Sequence, residues 1–178
     1  SITISTRKEI AWHDTSIGAT AEYSTNTSKI LRQSVITNYQ FNSFFISANL
    51  AFNLIKYIRL TDNYRWTISQ SKAGNYINTI RNISNETSLD ATFLPDRLLL
   101  NTTLQYTHNS GFTDRKDYTF MTLSITFKPS KKVQFVLNFD NILNTDTFVY
   151  RSNSNLTEGY TLYQLRPRCV MLTTHFAL

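Results

Sequence analysis

The sequence predicts an all-β protein whose strands form an antiparallel transmembrane β-barrel, and three observations predict it. Apolar and polar residues alternate with a period of two in about nine separate segments. The polar half of each alternation consists mainly of Thr, Ser and Asn, which make up about a third of the chain, rather than of charged residues. Short turns and long polar links alternate between the segments, which is the organisation of an outer-membrane barrel.

The composition excludes several other classes of protein. Of the 178 residues, 17% are charged, 13% are aromatic and one is a cysteine. So many aromatic residues are wrong for a disordered chain, and one cysteine builds neither a disulfide framework nor a multi-cysteine zinc site. No apolar run approaches the roughly 18 residues of a transmembrane helix. The net charge of +6 comes from scattered basic residues without an RNP, zinc-finger or P-loop motif, so no nucleic-acid partner is expected.

The N-terminal half of the chain shows the strand period with some noise. A weak strand begins at residue 2, and alternating segments follow at 17–24, 44–54, 58–68, 83–93 and 98–106. Within 58–68, for example, every second position except 62 carries an apolar or aromatic residue, namely Ile58, Leu60, Tyr64, Trp66 and Ile68. Asp62 departs from the pattern, because its parity places it on the apolar face.

The C-terminal half shows the clearest alternation. Over 117–128 the apolar positions are Met121, Leu123, Ile125 and Phe127. The same pattern continues over 133–140 and 169–178. Segments with this period that are rich in β-branched and aromatic residues are typical of strands, and no segment has the period of a helix.

The links between the segments differ in length in a regular way. Short turns fall at 54–57, 94–97 and 129–132, and longer polar links fall at 70–78, 108–116 and 151–159. The apolar segments are about as long as the roughly 9 to 11 tilted residues that a transmembrane strand needs. In such a barrel the apolar face contacts lipid and the polar face lines the interior.

Aromatic residues form two sets near opposite ends of the predicted strands. Beside the short turns or at the C-terminus lie Phe52, Phe93, Phe127 and Phe176. Near the long links lie Tyr64, Trp66, Tyr106, Tyr118, Tyr150 and Tyr160. Two such belts are expected at the two interfaces of a membrane.

Two motifs near the C-terminus resemble a known family. Asn141-Ile142-Leu143-Asn144-Thr145 is followed, after a polar loop, by Tyr163-Gln164-Leu165-Arg166-Pro167-Arg168 and a terminal alternating strand. This arrangement resembles the end of TonB-dependent outer-membrane receptors and is most similar to those of the Bacteroidetes type. Such receptors usually end in Phe, whereas this chain ends in Leu178 with Phe176 two positions earlier.

The resemblance implies a barrel of about 22 strands with an N-terminal plug, which imports a ligand with energy from TonB. Residues 1–178 would then be the C-terminal part of the barrel domain, with about nine strands, and the plug domain and N-terminal strands would be absent. The implied location is the bacterial outer membrane, with the short turns and the C-terminus periplasmic and the long loops extracellular. Expected partners are outer-membrane lipid or lipopolysaccharide, TonB through the missing N-terminal part, and a surface lipoprotein. No enzymatic activity and no cofactor are expected.

Four charged residues share the polar parity of neighbouring predicted strands. They are Arg59, Arg65, Glu86 and Asp90. As a lumen-facing network these side chains would hold a plug or guide a substrate. In the purely structural interpretation they form cross-strand ion pairs.

The C-terminal motifs supply a second set of candidates, namely Asn141, Asn144, Arg166, Pro167 and Arg168. Arg166 and Arg168 share parity with the apolar positions that follow them, which favours contact with lipopolysaccharide phosphates. Pro167 cannot donate to a strand ladder, so it can instead mark a bulge that turns both guanidinium groups into the lumen. Structural pairing with a neighbouring strand is the third alternative.

No catalytic or metal-binding set emerges from the sequence. His13, His108 and His175 lie far apart and lack the spacing of metal ligands. Two alternatives to a transporter stay open. One is a self-contained outer-membrane barrel of about 8 to 10 strands with a structural or assembly role. The other is a soluble β-sandwich that binds carbohydrate.

Overall fold

The computed structural model describes the chain except for residues 33–34, 95–96, 111–116, 154–157 and 177–178. The described part contains eleven strands and one short 3-10 segment, Trp12–Asp14, and no α-helix. The strands are β1 Ile2–Ile10, β2 Thr15–Arg32, β3 Val35–Ile55, β4 Ile58–Ala73, β5 Tyr76–Phe93, β6 Leu98–Asn109, β7 Asp117–Ser130, β8 Val133–Asp140, β9 Thr147–Asn153, β10 Glu158–Gln164 and β11 Cys169–Phe176.

Nine of these strands form one antiparallel sheet. Their order is β1-β2-β3-β4-β5-β6-β7-β8-β11, so strands that are neighbours in sequence are neighbours in the sheet as far as β8. Strands β9 and β10 pair with each other as a separate two-stranded hairpin. The predicted all-β antiparallel fold is therefore confirmed. Within the described residues β1 and β11 are the free edges of an open sheet, so the closed barrel stays a prediction.

Most strands of the sheet are longer than their predicted apolar segments, and here the predicted boundaries were wrong. Residues 70–78, predicted as a long link, belong almost entirely to β4 and β5, which are joined by Gly74 and Asn75. Gly74 has a φ of 60°, a left-handed conformation that glycine adopts without steric cost. Backbone hydrogen bonds hold a strand ladder whatever the side chains are, so polar ends of hairpins show no apolar period.

The C-terminal region also differs from the prediction, because two additional strands lie between the last two predicted ones. Strands β9 and β10 occupy half of the stretch between Asp140 and Cys169, where the sequence predicted two motifs and a polar link. Of the predicted link 151–159, residues 154–157 lie outside the described residues, as do residues 111–116 of the link 108–116.

The pairing register agrees with the predicted division of side chains between two faces. Phe93 is opposite Leu98, Leu98 is opposite Phe127, and Phe127 is opposite Phe135, so these four residues form one row across four strands. We call this side of the sheet the apolar face. The other side, which we call the polar face, includes the directly opposed pairs Glu86–Gln105, Ser88–Thr103 and Asp90–Asn101.

Burial is inverted relative to a soluble sheet. On the apolar face, the inner-strand residues Leu104, Phe127 and Phe135 are 43%, 41% and 37% exposed. The most deeply buried side chains, Ile80, Asn109 and Tyr118, lie instead on the polar face, toward the end of the sheet opposite the turns at 54–57, 94–97 and 129–132. The packed core of the described residues is therefore on the side that carries the hydroxyl and amide groups.

Candidate functional site

A groove runs along the polar face between the sheet and the C-terminal hairpin. Its larger part is a cavity of about 810 Å³. A second cavity of about 540 Å³ shares Arg65, Ser84, Thr107 and Phe148 with the first, so the two form one continuous groove. The lining of the larger cavity includes Asn49, Asn63, Arg65, Glu86, Gln105 and Phe148.

Phe148 of β9 fixes the hairpin on the polar face. Its ring makes edge-to-face contacts with Tyr118 and Phe120 of β7, at centroid distances of 5.1 and 5.7 Å. On the hairpin itself it stacks on Tyr163 at 5.9 Å and lies 6.4 Å from Tyr150. Each well-placed aromatic pair contributes about 0.5–1.5 kcal/mol beyond its area burial, so this five-ring cluster is a strong anchor.

The aromatic cluster corrects two of the predicted belt positions. Tyr118 is 1% exposed and lies opposite Thr107 on the polar face, so it is part of the core and not of an outer belt. Tyr150 belongs to the hairpin and lines the smaller cavity of the groove. Tyr64, Trp66 and Tyr106 lie on the apolar face, where the register places them in the rows of Ala48, Ile46 and Thr119.

The two asparagines of the C-terminal motif form the corner from which the hairpin leaves the sheet. Asn141 and Asn144 have φ values of 50° and 56°, in the left-handed region that asparagine tolerates best after glycine. The Asn141 Nδ2 donates to the carbonyl oxygens of Thr145 and Arg166, each at 2.8 Å, and its Oδ1 accepts from the Thr145 N–H at 2.9 Å. The Asn144 Oδ1 accepts from the Arg168 N–H at 3.1 Å. These amides bond the backbone groups that the interrupted ladder leaves unpaired.

Arg65 and Glu86, two of the four predicted lumen-facing residues, lie in the larger cavity. The Arg65 guanidinium stacks over the Phe45 ring, with Cζ 4.9 Å from the ring centroid. The Glu86 carboxylate accepts a hydrogen bond of 2.6 Å from the Gln105 amide. One cation and one anion are therefore held in the groove by neutral neighbours rather than by each other.

Arg59 and Asp90, the other two, lie at the end of the polar face near the short turns. They are directly opposite each other in the register and line a small cavity of about 250 Å³ together with Lys56. Asp90 accepts from the Asn101 amide at 2.6 Å, and Arg59 donates to Asn53 Oδ1 at 3.4 Å. Among the described residues, the Arg7–Glu9 ion pair and the His108–Asp117 contact include none of the four predicted residues.

Arg166, Pro167 and Arg168 are exposed and lie in the connection between β10 and β11. This connection is outside the strand ladder, so the pairing register assigns these side chains to neither face. Their contact with lipid headgroups, or their turn into the lumen, stays a prediction. The backbone groups of Arg166 and Arg168 are hydrogen-bonded to Asn141 and Asn144, so both arginines lie next to the corner from which the hairpin leaves the sheet.

Two features of the structure were not expected from the sequence. The sequence gives no signal for the role of Phe148, because its partners on β7 are distant in sequence and no period marks them. Asp62 departs from the apolar parity in the sequence, and the structure supplies its partners: Asn85 Nδ2 and Thr87 Oγ1 donate to its carboxylate at 2.9 and 2.7 Å. Thr87 lies directly opposite Asp62, so the correct strand pairing would have revealed this polar notch in the apolar face.

Comparisons with protein-family models, with curated proteins and with solved structures find no match. No helix in the described part of the chain is long and apolar enough to cross a membrane. Among the described residues no group of three His, Cys, Asp or Glu side chains is placed to hold a metal ion.

Proposed function

We propose that the chain forms part of the wall of an outer-membrane β-barrel transporter, as the C-terminal portion of a TonB-dependent receptor. The inverted burial is the observation that carries this proposal. A soluble antiparallel sheet packs its apolar face against a core, whereas here inner-strand residues such as Leu104 and Phe127 remain 43% and 41% exposed. An apolar surface spanning a nine-stranded sheet requires a cover, and the hydrocarbon of a bilayer supplies one.

The two unpaired edges of the sheet favour the interpretation that it is part of a larger barrel and not an isolated unit. In the described residues β1 pairs only with β2, and β11 pairs only with β8. Each edge therefore presents a row of backbone donors and acceptors to which further strands can add, and an unpaired edge of this kind is an aggregation hazard. The single layer of nine strands does not favour the sandwich alternative, which needs two facing sheets.

The polar groove supports a role in transport. In the proposed orientation it faces the lumen, where the hairpin narrows the passage and Arg65 and Glu86 present charges to a plug or a passing ligand. The proposed location is the outer membrane of a bacterium of the Bacteroidetes type, with TonB acting through a plug domain. Outer-membrane lipid and a surface lipoprotein are the other proposed partners.

Cysteine labelling of the full-length protein in outer membranes tests the membrane assignment. In a Cys169→Ser background, single cysteines replace Leu123 and Ile125 on the apolar face of β7 and Ser124 and Thr126 on its polar face. The expected result is reaction of the two polar-face cysteines with a water-soluble maleimide and protection of the two apolar-face cysteines. Equal reaction at all four positions would overturn the proposal.

The receptor assignment has its own tests. The reading frame upstream of residue 1 is expected to encode a plug domain and further strands, and a frame without them would overturn it. Heat-modifiable migration of the 178-residue chain alone on a gel would favour the small-barrel alternative instead. Solubility of the chain without detergent would contradict both membrane interpretations.

A further inference from the structure

The larger cavity of the groove holds two opposite charges that do not neutralise each other. Arg65 of β4 and Glu86 of β5 both line it, and among the described residues neither forms an ion pair. The register places Arg65 opposite Ser84 and Glu86 opposite Asn63, so the two charged residues are diagonal neighbours with Cβ atoms roughly 7 Å apart. A cation and an anion that lie this close without pairing leave both charges available to a ligand.

The two charged groups lean away from each other. The Arg65 guanidinium lies over the Phe45 ring on β3, whereas the Glu86 carboxylate accepts its hydrogen bond from Gln105 on β6. Glu22 on β2 is directly opposite Phe45, but among the described residues it forms no ion pair with Arg65. A ligand that meets both charges must therefore be extended and must carry an anion and a cation at its two ends.

The floor of the cavity carries amide side chains between these charges. Asn49, Asn63, Glu86 and Gln105 stand in one row across the four neighbouring strands from β3 to β6. Gly18, which is directly opposite Asn49, leaves room for the Asn49 amide to lie across β2, because a Cβ atom at Gly18 would collide with Asn49 Oδ1. A primary amide has donors and an acceptor, so it can hydrogen-bond to both the N–H and the C=O of a peptide group.

Apolar side chains close the cavity on the side of the hairpin. Phe148 of β9, Leu165 directly after β10 and Phe120 of β7 all line it. These groups favour apolar side chains on the ligand, since they cannot hydrogen-bond to it. The volume of about 810 Å³ is within the range of cavities that enclose small organic ligands.

We propose that the larger cavity binds a short peptide with free ends, its carboxylate on Arg65 and its amine on Glu86. The role of this site in uptake rests on the proposed function. Two to three extended residues, at about 3.3 Å each, cover roughly 7–10 Å, which suits diagonal neighbours whose charged groups lean apart. A guanidinium binds a carboxylate through two parallel hydrogen bonds, and Glu86 Oε1 can accept from an ammonium while Gln105 donates to Oε2. One such peptide supplies both charges, the amide groups and the apolar side chains.

Binding of trialanine to the full-length protein in a neutral detergent tests the proposal, with isothermal titration calorimetry as the measurement. Two blocked peptides are compared with it: N-acetyl-trialanine lacks the charged amine, and trialanine amide lacks the charged carboxylate. The site variants are Glu86→Gln and Arg65→Gln. The matched controls are Asp90→Asn and Arg59→Gln, which remove the same charges outside the larger cavity.

Each blocked peptide is expected to bind the wild-type protein at least tenfold more weakly than trialanine, because a hydrogen bond to a charged group contributes about a tenfold factor or more. Glu86→Gln should weaken binding of trialanine at least tenfold, but binding of N-acetyl-trialanine less than twofold. Arg65→Gln should do the same with trialanine amide as the insensitive peptide. Both controls should change the affinity for trialanine less than twofold.

Equal binding of free and blocked peptides, equal losses in the site and control variants, or no binding of trialanine to the folded wild-type protein would each overturn the proposal. The blocked peptides probe the wild-type protein, so their result does not depend on the folding of any variant. The cysteine pattern on β7 separates the two hypotheses. If that pattern shows insertion but blocked peptides bind as tightly as free ones, only the peptide site fails. If it shows no insertion, the proposed function fails whether or not trialanine binds.

Discussion

The two faces of the nine-stranded sheet are organised by different interactions. On the apolar face the side chains stand in rows set by strand pairing, and Phe176 at one edge is 71% exposed. On the polar face Tyr118 is 1% exposed, because the aromatic cluster of the hairpin packs there. The period-two pattern of the sequence therefore determines on which face a residue lies. Contacts between residues distant in sequence determine which face carries the packed core.

Among the substitutions that compare the two faces, Phe148→Ala is expected to have the largest effect on stability. The substitution removes the ring that touches Tyr118, Phe120 and Tyr163, so the hairpin should lose about 3 kcal/mol of docking free energy. Limited proteolysis of the reconstituted full-length protein is the measurement, with faster cleavage expected within β9 and β10.

Phe93→Ala is the matched control for Phe148→Ala. This substitution removes the same phenyl ring from the apolar face. Phe93 is 45% exposed there, on the side of the sheet opposite the hairpin cluster. Cleavage of the hairpin should stay at the wild-type rate. Equal sensitivity of the two variants would show that the polar-face cluster does not hold the hairpin.

Asn141→Ala is expected to have the next largest effect. Alanine loses three side-chain hydrogen bonds and must hold a φ of 50°, which together should cost about 2 kcal/mol. Asn141→Gly loses the same bonds but keeps the left-handed conformation without strain, so about 1 kcal/mol is expected. Urea unfolding measures both changes. Identical losses would mean that conformation contributes nothing at the corner.

Sequence reasoning predicted the faces of the sheet well and the hairpin poorly. Period two alone placed Arg65 and Glu86 on one face, and the pairing register agrees. The position of Phe148 could not be inferred, because its contacts with β7 join segments about 30 residues apart that share no pattern. Only the family resemblance marks the motif asparagines in the sequence. Their role as a corner depends on backbone groups that become unpaired only when the ladder breaks.

Substitutions of Asp62 test whether its hydrogen-bonded carboxylate stabilises the protein more than an apolar side chain at the same position of the apolar face would. Asp62→Leu leaves the Asn85 amide without its acceptor, so about 1 kcal/mol of stability should be lost despite the gain of an apolar side chain. Asp62→Asn keeps an acceptor oxygen and should change stability by less than about 0.5 kcal/mol. Thermal unfolding in detergent measures both. A more stable leucine variant would show that the notch has no structural value.

Substitutions of Glu86 are expected to change the stability least. They are also expected to change ligand uptake, which is measured separately. The Glu86 carboxylate is half-buried in the groove and is bonded by a neutral amide, so Glu86→Gln should change the free energy of unfolding by less than about 0.5 kcal/mol.

Glu86→Lys reverses the charge that the groove presents to a plug or ligand, so uptake by the full-length transporter should fall while heat-modifiable folding survives. Asp90→Lys makes the same reversal near the short turns, outside the larger cavity. If the groove itself is the passage, Glu86→Lys should impair uptake more than Asp90→Lys. Equal impairment would instead indicate that the whole polar face, and not the cavity beneath the hairpin, contacts the plug.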